Sequence, residues 1–196
     1  CRSRPFVVST PKHIDRGLHE VVNNPSGEES TDAFLSLQDR LIDFAEHNLF
    51  GADFDPFLVR AAQMNILMAS NGQARVFYMN SLEFPAGHLP GVNDASGKAD
   101  LGTMDVVMTN PPFGSDIPVN DPNILKNYEL AHTWERTDGG GFRNTGRLQG
   151  SVAPEILFIE RGLDWLKPGG RMGIVLPDGI LGNPGDEYIR WWLLRH

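Results

Sequence analysis

The residues best suited to chemistry are four consecutive ones, Asn110-Pro111-Pro112-Phe113, directly after an apolar run at 104–109. Each proline fixes its own φ and holds the residue before it in an extended conformation. The carbonyl groups of Asn110 and Pro111 are therefore stiff hydrogen-bond acceptors, and Phe113 adds a flat apolar surface beside them. This set suits a planar ring with an exocyclic amine, because the acceptors bind the amine while the ring stacks on Phe113. The structural alternative is a strand that ends in prolines beside a core phenylalanine.

The surrounding pattern predicts alternating strands and helices. Short apolar runs typical of buried strands lie at 49–53, 74–79, 104–109 and 171–176, with a further short buried stretch at 6–8. Helical spacing of apolar residues predicts helices at 32–47, 56–70, 153–166 and 186–195. Near-continuous apolar strands that alternate with helices are typical of a mostly parallel sheet covered on both faces. We therefore expect an α/β fold of three layers, with ligands at the carboxyl ends of the strands.

The second of these helices has clear sequence signals at both ends. Asp55-Pro56 predicts its start, with the aspartate as N-cap and the proline as first helical residue. Asn71-Gly72 predicts its end. Met64 and Met68 lie at helical spacing, so that we expect both in the core.

The length of 196 residues suits one domain with a substantial core. We expect residues 1–196 to form that domain, with a loop insertion at 115–150, where glycine, asparagine and aspartate are frequent and periodicity is weak. Cys1 is not a natural start residue, so that the chain is expected to be a piece of a longer protein, incomplete at its N-terminus.

Composition excludes several classes of protein. The net charge of −8 argues against strong binding of nucleic acid by this chain alone, because phosphate binding needs clustered Lys and Arg. The single cysteine allows no internal disulfide and suits a reducing compartment, so that a cytoplasmic location is expected. The six histidines show no metal-ligand spacing, and no apolar run is long enough to span a bilayer. We expect neither a metal site nor a membrane partner.

The motif Asn110-Pro111-Pro112-Phe113 resembles the catalytic motif of amino-group methyltransferases that act on nucleic acids. Two flanking segments narrow this resemblance, 50–68 (FGADFDPFLVRAAQMNILM) and 167–185 (KPGGRMGIVLPDGILGNPG). Both are similar to segments of adenine-N6 DNA methyltransferases, the modification subunits of type I restriction systems. The same NPPF occurs in ribosomal-RNA guanine methyltransferases, and NPPY in protein-glutamine methyltransferases. An enzyme that acts on RNA or protein is therefore the alternative.

The resemblance implies the sheet of the S-adenosylmethionine-dependent methyltransferases, which is Rossmann-like. It also implies transfer of a methyl group to the N6 amine of an adenine that is flipped out of the duplex. In that family the asparagine side chain and the first proline carbonyl hold the amine, which assigns these roles to Asn110 and Pro111. Pro112 completes the motif, and Phe113 would stack on the flipped base.

The resemblance further implies S-adenosylmethionine as the methyl donor. Asp53 matches the acidic residue that binds the ribose hydroxyls of the donor. Asn80 stands where the family usually has an aspartate that accepts a hydrogen bond from the adenine amine of the donor. Ser3 and Phe6 align with the glycine-rich donor loop of the family, and so does Cys1.

The donor loop also carries the main departure from the family. Arg2, Arg4 and Pro5 replace its three glycines. Glycine at such positions lets the backbone turn tightly and approach a ligand closely, so that weakened donor binding is expected. A second alternative follows from this: a degenerate, non-catalytic methylase subunit that keeps only scaffold contacts.

The partners implied by the resemblance are double-stranded DNA, a DNA-specificity subunit and a restriction subunit. Recognition of the DNA sequence in that family lies in the specificity subunit, which agrees with the acidic charge of this chain. The glycines at 139–141, with Arg143 and Arg147, leave two interpretations: a loop that contacts DNA phosphates or a plain surface loop. Trp191-Trp192 indicates helix packing or an interface.

Overall fold

A computed structural model describes residues 6–8, 28–114 and 117–196 of the chain. Its helices are α1 (Glu28–His47), α2 (Pro56–Ser70), α3 (Pro90–Ala95), α4 (Pro122–Leu125), α5 (Pro154–Trp165), α6 (Asp178–Gly182) and α7 (Glu187–Leu193). Its strands are β1 (Phe6–Val8), β2 (Phe50–Asp53), β3 (Arg75–Tyr78), β4 (Met104–Thr109), β5 (His132–Arg136), β6 (Phe142–Leu148) and β7 (Leu166–Ile174). Short 3₁₀ helices lie at Glu129–Ala131 and Pro184–Asp186.

The main sheet has five strands in the order β3-β2-β1-β4-β7. β2 pairs with β3 in parallel, and β4 pairs with β7 in parallel. β1 lies between β2 and β4 and is antiparallel to both, so that the other four strands all run in one direction. Helices alternate with these strands along the chain, which confirms the α/β class and a mostly parallel sheet.

The ends of α2 show how local sequence sets local structure. The Asp55 side chain accepts the Phe57 N–H at 2.8 Å, and Pro56 occupies the first helical position. Asn71 adopts a left-handed conformation with φ of 59°, and its N–H donates to the Leu67 carbonyl at 2.8 Å. Both predicted ends of this helix are confirmed.

The predicted core face of α2 is wrong. Met64 is 55% exposed and Met68 is 73% exposed, whereas Val59 is the buried residue of this helix. The side chain of Gln63 donates to the Val76 carbonyl of β3 at 3.0 Å, which shows the side of α2 that faces the sheet. Apolar residues lie on both sides of α2, so that periodicity did not tell which side would be buried.

β4 has the bounds predicted for it, and its central residue Val107 is fully buried. Its partner β7 begins earlier than predicted, at Leu166. The register between the two strands shifts between Met104 and Val106, opposite a Lys-Pro-Gly-Gly turn at 167–170. This turn is therefore a bulge within a longer strand, and Gly169 in it has a φ of +81°.

The prediction that 115–150 is loop is wrong for its second half, where β5 and β6 form an antiparallel hairpin. Trp134 of the hairpin packs against Tyr188 and Trp191 of α7, with ring centroids 6.1 Å and 5.9 Å apart. Trp192 is buried, and its Nε1 donates to Glu129 Oε2 at 2.7 Å. Contacts distant in sequence thus stabilise the hairpin, and the two tryptophans serve packing.

A buried polar cluster ties the segment after β3 to α5. The Tyr128 hydroxyl donates to the Leu82 carbonyl at 2.8 Å, and Arg161 Nε donates to the Tyr128 hydroxyl at 2.8 Å. Burial raises the pKa of Tyr128, so that the hydroxyl stays protonated as a donor. The cluster therefore fixes the loop after β3, which contains Leu82, and the segment that contains Tyr128.

Helices long and apolar enough for a bilayer are absent from the described part of the chain. The same residues include no group of three or more His, Cys, Asp or Glu side chains placed to hold a metal ion.

Candidate functional site

Three parallel strands deliver the candidate residues to one edge of the sheet. Asp53 ends β2, Asn80 follows β3 by two residues, and Asn110 follows β4 directly. Because β1 is antiparallel, its first residue Phe6 pairs with Ala52 and Thr109, which precede Asp53 and Asn110. The carboxyl ends of parallel strands are where ligands bind in α/β folds. The topology therefore assembles one candidate site from residues far apart in sequence.

A pocket with a cavity volume of about 200 Å³ opens at this edge, and we call it the edge pocket. Its walls come from the loops after β2, β3 and β4, from 118–124 and from the start of α5. The residues that line it are Phe54, Asn80, Leu82, Pro112, Pro118, Val119, Asn120, Asp121, Ile124, Pro154 and Phe158. Whole drug-sized ligands take pockets of roughly 300–1,000 Å³. The smaller volume and the apolar walls suit a single ring system.

Asp53 offers a carboxylate oxygen without a partner. The residue is 1% exposed, and its Oδ1 accepts the Asp55 N–H at 2.7 Å. Its Oδ2 is buried and has no hydrogen-bond partner within the described part of the chain. Burial raises the pKa of the Asp53 carboxyl, and the nearby charge of Asp55 raises it further. The hydrogen bond from the Asp55 N–H lowers this pKa, but by less than burial raises it. A buried acceptor left unpaired is unfavourable, so that a ligand hydroxyl would find a ready partner here.

Asn80 lies in the wall of the edge pocket with its amide held in one orientation. Its Nδ2 donates to Glu83 Oε1 at 2.7 Å, and its Oδ1 accepts the Leu82 N–H at 3.2 Å. A carbonyl oxygen accepts two hydrogen bonds. One acceptor position of Asn80 Oδ1 therefore remains for an exocyclic amine.

The NPPF loop (Asn110-Pro111-Pro112-Phe113) ends β4 and reaches the edge pocket through Pro112. Asn110 Oδ1 is buried and has no hydrogen-bond partner in the described structure. Phe113 is 43% exposed, so that it is not the core phenylalanine of the structural alternative. An unpaired acceptor and an exposed aromatic ring thus lie within four residues of each other.

Two predicted donor-binding residues are described less fully. Ser3 lies outside the described residues, as do Arg2, Arg4 and Pro5. Phe6 belongs to β1, and its backbone lies at the edge of the sheet that carries the site. The roles assigned to Ser3 and Phe6 remain predictions.

The sequence interpretation missed most of the edge pocket's apolar wall. Phe54 follows Asp53 directly, and this adjacency was a usable signal. Ile124 belongs to α4, inside the predicted loop, and Phe158 belongs to α5. Only packing brings the last two together, and no spacing in the sequence indicates it.

Arginines of the hairpin are engaged with its own carboxylates. Arg143 Nε donates to Glu135 Oε1 at 3.1 Å, and both side chains are exposed. Arg136 forms an ion pair with Glu187 of α7. Exposed pairs of this kind contribute little stability, but they offset positive charge on this face. Arg147, the other arginine singled out in this segment, is exposed.

A comparison with protein families identifies the class of protein to which this fold belongs. The model of the N-6 DNA methylase family matches residues 8–195. This match takes in β2 to β7 and every described candidate residue except Phe6. The chain belongs to the N-6 DNA methylase family.

The chain is also similar to the type I restriction enzyme StySPI methylase subunit of Salmonella potsdam. The two are 25% identical over 202 residues, which cover 95% of this chain and 33% of the relative. The chain thus spans about a third of the length of this curated relative. These comparisons confirm the resemblance to adenine-N6 DNA methyltransferases of type I restriction-modification systems.

Proposed function

We propose that the protein transfers a methyl group from S-adenosylmethionine to the N6 amine of a flipped adenine in double-stranded DNA, within a restriction-modification system. The observation that carries the proposal is the NPPF loop, where Asn110 Oδ1 is buried and unpaired among the described residues and the Phe113 ring, three residues later, is exposed. Membership of the N-6 DNA methylase family supports it.

The target base would bind at the NPPF loop. The Asn110 side chain and the Pro111 carbonyl would accept the two N–H groups of the adenine amine, and Phe113 would stack on the ring. Stacking of a base on an aromatic side chain contributes about 1–3 kcal/mol. Extrusion of the base is required because its amine is inaccessible inside a paired, stacked duplex. The loop therefore works by orienting a nitrogen for methyl transfer.

The adenine ring of the donor would bind in the edge pocket, whose volume and apolar walls fit it. Asp53 Oδ2, buried and unpaired in the described structure, would accept from the ribose hydroxyls. Asn80 Oδ1 has one acceptor position left for the adenine amine, and Phe54, Ile124 and Phe158 would enclose the ring. When bound, S-adenosylmethionine supplies an activated methyl group on its sulfonium.

The fold we propose is that of the S-adenosylmethionine-dependent methyltransferases. The four strands that run in one direction, with α2 packed on β2 and β3 and α5 packed on β4 and β7, support a three-layer, Rossmann-like methyltransferase sheet. We infer that residues 1–196 belong to one catalytic domain, since a shared core joins β2, β3, β4, α5 and α7.

The partners proposed are double-stranded DNA, a DNA-specificity subunit and a restriction subunit, in the cytoplasm. The similarity to the methylase subunit of a type I restriction enzyme supports this. The net charge of −8 supports it as well, because a chain of this charge needs another subunit to bind DNA strongly.

Tritiated S-adenosylmethionine and DNA free of N6-methyladenine test the function directly, with mass spectrometry of the nucleosides to identify the product. We expect N6-methyladenine from the glycine-restored form (Arg2→Gly, Arg4→Gly and Pro5→Gly, behind the Asp-Pro segment that precedes this loop in the family), and ~10²–10³-fold less from its matched Asn110→Ala variant. Ribosomal RNA and a glutamine-containing release-factor peptide serve as competing substrates. Label in the RNA or the peptide, with none in DNA, would contradict the proposal.

A further inference from the structure

Glu155 is a buried carboxylate to which the proposed reaction gives no role. It lies in the first turn of α5 and is 5% exposed. Both of its carboxylate oxygens accept the backbone N–H of Gly114, at 3.3 Å each. A buried carboxylate is unfavourable unless hydrogen bonds compensate its loss of water, and the N-terminal end of a helix favours its charge. The contact to Gly114 is therefore part of what keeps Glu155 in place.

Gly114 is the residue that follows the NPPF loop. Its φ of +105° is a conformation that favours glycine. The two prolines of the loop have no N–H to donate, so that the loop has few anchors of its own. On the strand side, the Thr109 carbonyl accepts a backbone N–H from Val175 at 3.1 Å. The loop is thus held between Thr109 and the bond from Gly114 to Glu155.

The same helix also builds the edge pocket, because Pro154 and Phe158 of α5 lie in its wall. We propose that Glu155 is a positioning residue, which holds the NPPF loop in place relative to the edge pocket through its bond to Gly114. The inference rests on the proposed function, in which the target base and the methyl donor must meet at a fixed distance. Misplacement of reacting groups by about 1 Å lowers a rate roughly 10²-fold.

Amide hydrogen exchange tests the contact without any need for activity. In ¹⁵N-labelled chain we expect Glu155→Ala to speed exchange of the Gly114 N–H about tenfold, since one net hydrogen bond is lost. Glu155→Gln keeps an acceptor oxygen and should keep the slow exchange. Glu160→Gln is the matched control, because Glu160 of the same helix accepts the Glu129 and Leu130 N–H groups at 2.8 Å and 2.9 Å. Glu160→Gln should leave the exchange rate of the Gly114 N–H unchanged.

Steady-state methyl transfer tests the consequence in whichever form is active, the unchanged chain or its glycine-restored form. We expect Glu155→Ala to lower kcat about 10²-fold, with KM for the donor and the melting temperature nearly unchanged. Glu155→Gln should recover most of kcat. A merely structural carboxylate would instead lower the melting temperature and change kcat and KM together, which is the pattern expected of Glu160→Gln.

Two results would overturn the inference: equal Gly114 exchange in the unchanged chain and in Glu155→Ala, or full kcat for Glu155→Ala in an active form. Failure of the proposed function looks different. In that case neither the unchanged chain nor the glycine-restored form transfers methyl groups to DNA. The exchange measurement still decides whether Glu155 holds the loop.

Discussion

The Asn80 amide donates to the Glu83 carboxylate at 2.7 Å, and this pair determines what Asn80 presents to the edge pocket. Because Glu83 accepts from Nδ2, it is Oδ1 of Asn80 that has an acceptor position left for a ligand in the edge pocket. An aspartate at position 80 would instead bring two carboxylates into contact. The pair explains how an asparagine fits at a position where the family resemblance implies an aspartate.

We predict that Asn80→Asp weakens binding of adenosine about tenfold, or 1.4 kcal/mol, because like charges in contact raise one pKa and reorient both groups. Adding Glu83→Gln should restore binding, since the new amide donates to the new carboxylate. Glu83→Gln alone should change binding little, because the glutamine side-chain oxygen can still accept from Asn80 Nδ2. Adenosine is titrated by NMR, and a double variant as weak as Asn80→Asp would contradict the pairing.

Asp53 should make folding depend on pH in an unusual direction. Burial raises its pKa in the folded chain, so that the protonated form is the one the fold favours. Its stabilising contribution is therefore largest below the ordinary pKa of about 3.9 and declines as the pH rises through the raised value. Asp53→Asn should remove this part of the pH dependence. Urea unfolding from about pH 4 to pH 7 compares the two proteins, and identical curves would contradict the prediction.

The same Asp53→Asn substitution should weaken donor binding. A neutral amide is a poorer acceptor for the ribose hydroxyls than a carboxylate, and loss of such bonds costs about 1.5–3 kcal/mol. In the protein that retains Asp53, the affinity for the donor should also fall as the pH drops through the raised pKa of Asp53. Calorimetry in the glycine-restored form provides the measurement.

At the target-base site, Asn110→Ala in an active form should lower methyl transfer ~10²–10³-fold and leave the fold intact, because one preorganised hydrogen-bonding group is lost. Phe113→Ala should weaken capture of the flipped base, whereas Phe113→Trp should be largely tolerated, since stacking needs only an aromatic face. Fluorescence of an adenine analogue at the target position reports the flipped base. Near-normal turnover by Asn110→Ala would rule out the assigned role.

The donor loop contains Arg2, Arg4 and Pro5, which lie outside the residues that the structure describes. With Arg2, Arg4 and Pro5 in place, we expect no measurable binding of S-adenosylmethionine. The ribose contact contributes ~1.5–3 kcal/mol, and micromolar affinity needs roughly 8 kcal/mol. Glycine at all three positions, with the Asp-Pro segment that precedes this loop in the family, should restore binding. Alanine at the three positions is the matched control, and micromolar binding by the unchanged chain would show that the alignment is wrong.

DNA binding by this chain alone should be weak, sensitive to salt and indifferent to sequence. The chain carries a net charge of −8, and Arg143 and Arg136 are paired with carboxylates. Fluorescence anisotropy with duplexes of different sequence, at two salt concentrations, measures both properties. Tight binding to one sequence would contradict this prediction and the need for a specificity subunit.

Local sequence was sufficient for much of the sheet and for the NPPF loop. The bounds of β4 and the caps of α2 depend on residues adjacent in the chain, such as Asp55 and Asn71. Proline, and asparagine in a left-handed backbone conformation, act through their own backbone. Their effect therefore does not depend on the tertiary structure around them. For the same reason the local sequence alone indicates Asn110 and Phe113 as candidate residues.

The sequence by itself determined the α/β class, the ends of β2, β3, β4, α2 and α5 to within one residue, and the NPPF motif. Tertiary structure alone decided which side of α2 is buried, that residues 132–148 form a hairpin against α7, and that Ile124 and Phe158 share a pocket with Asn80. It also brought Glu155 to Gly114 across 41 residues. The physical reason is that caps and prolines act over a few bonds, whereas packing is set by surfaces that meet only once the chain has folded.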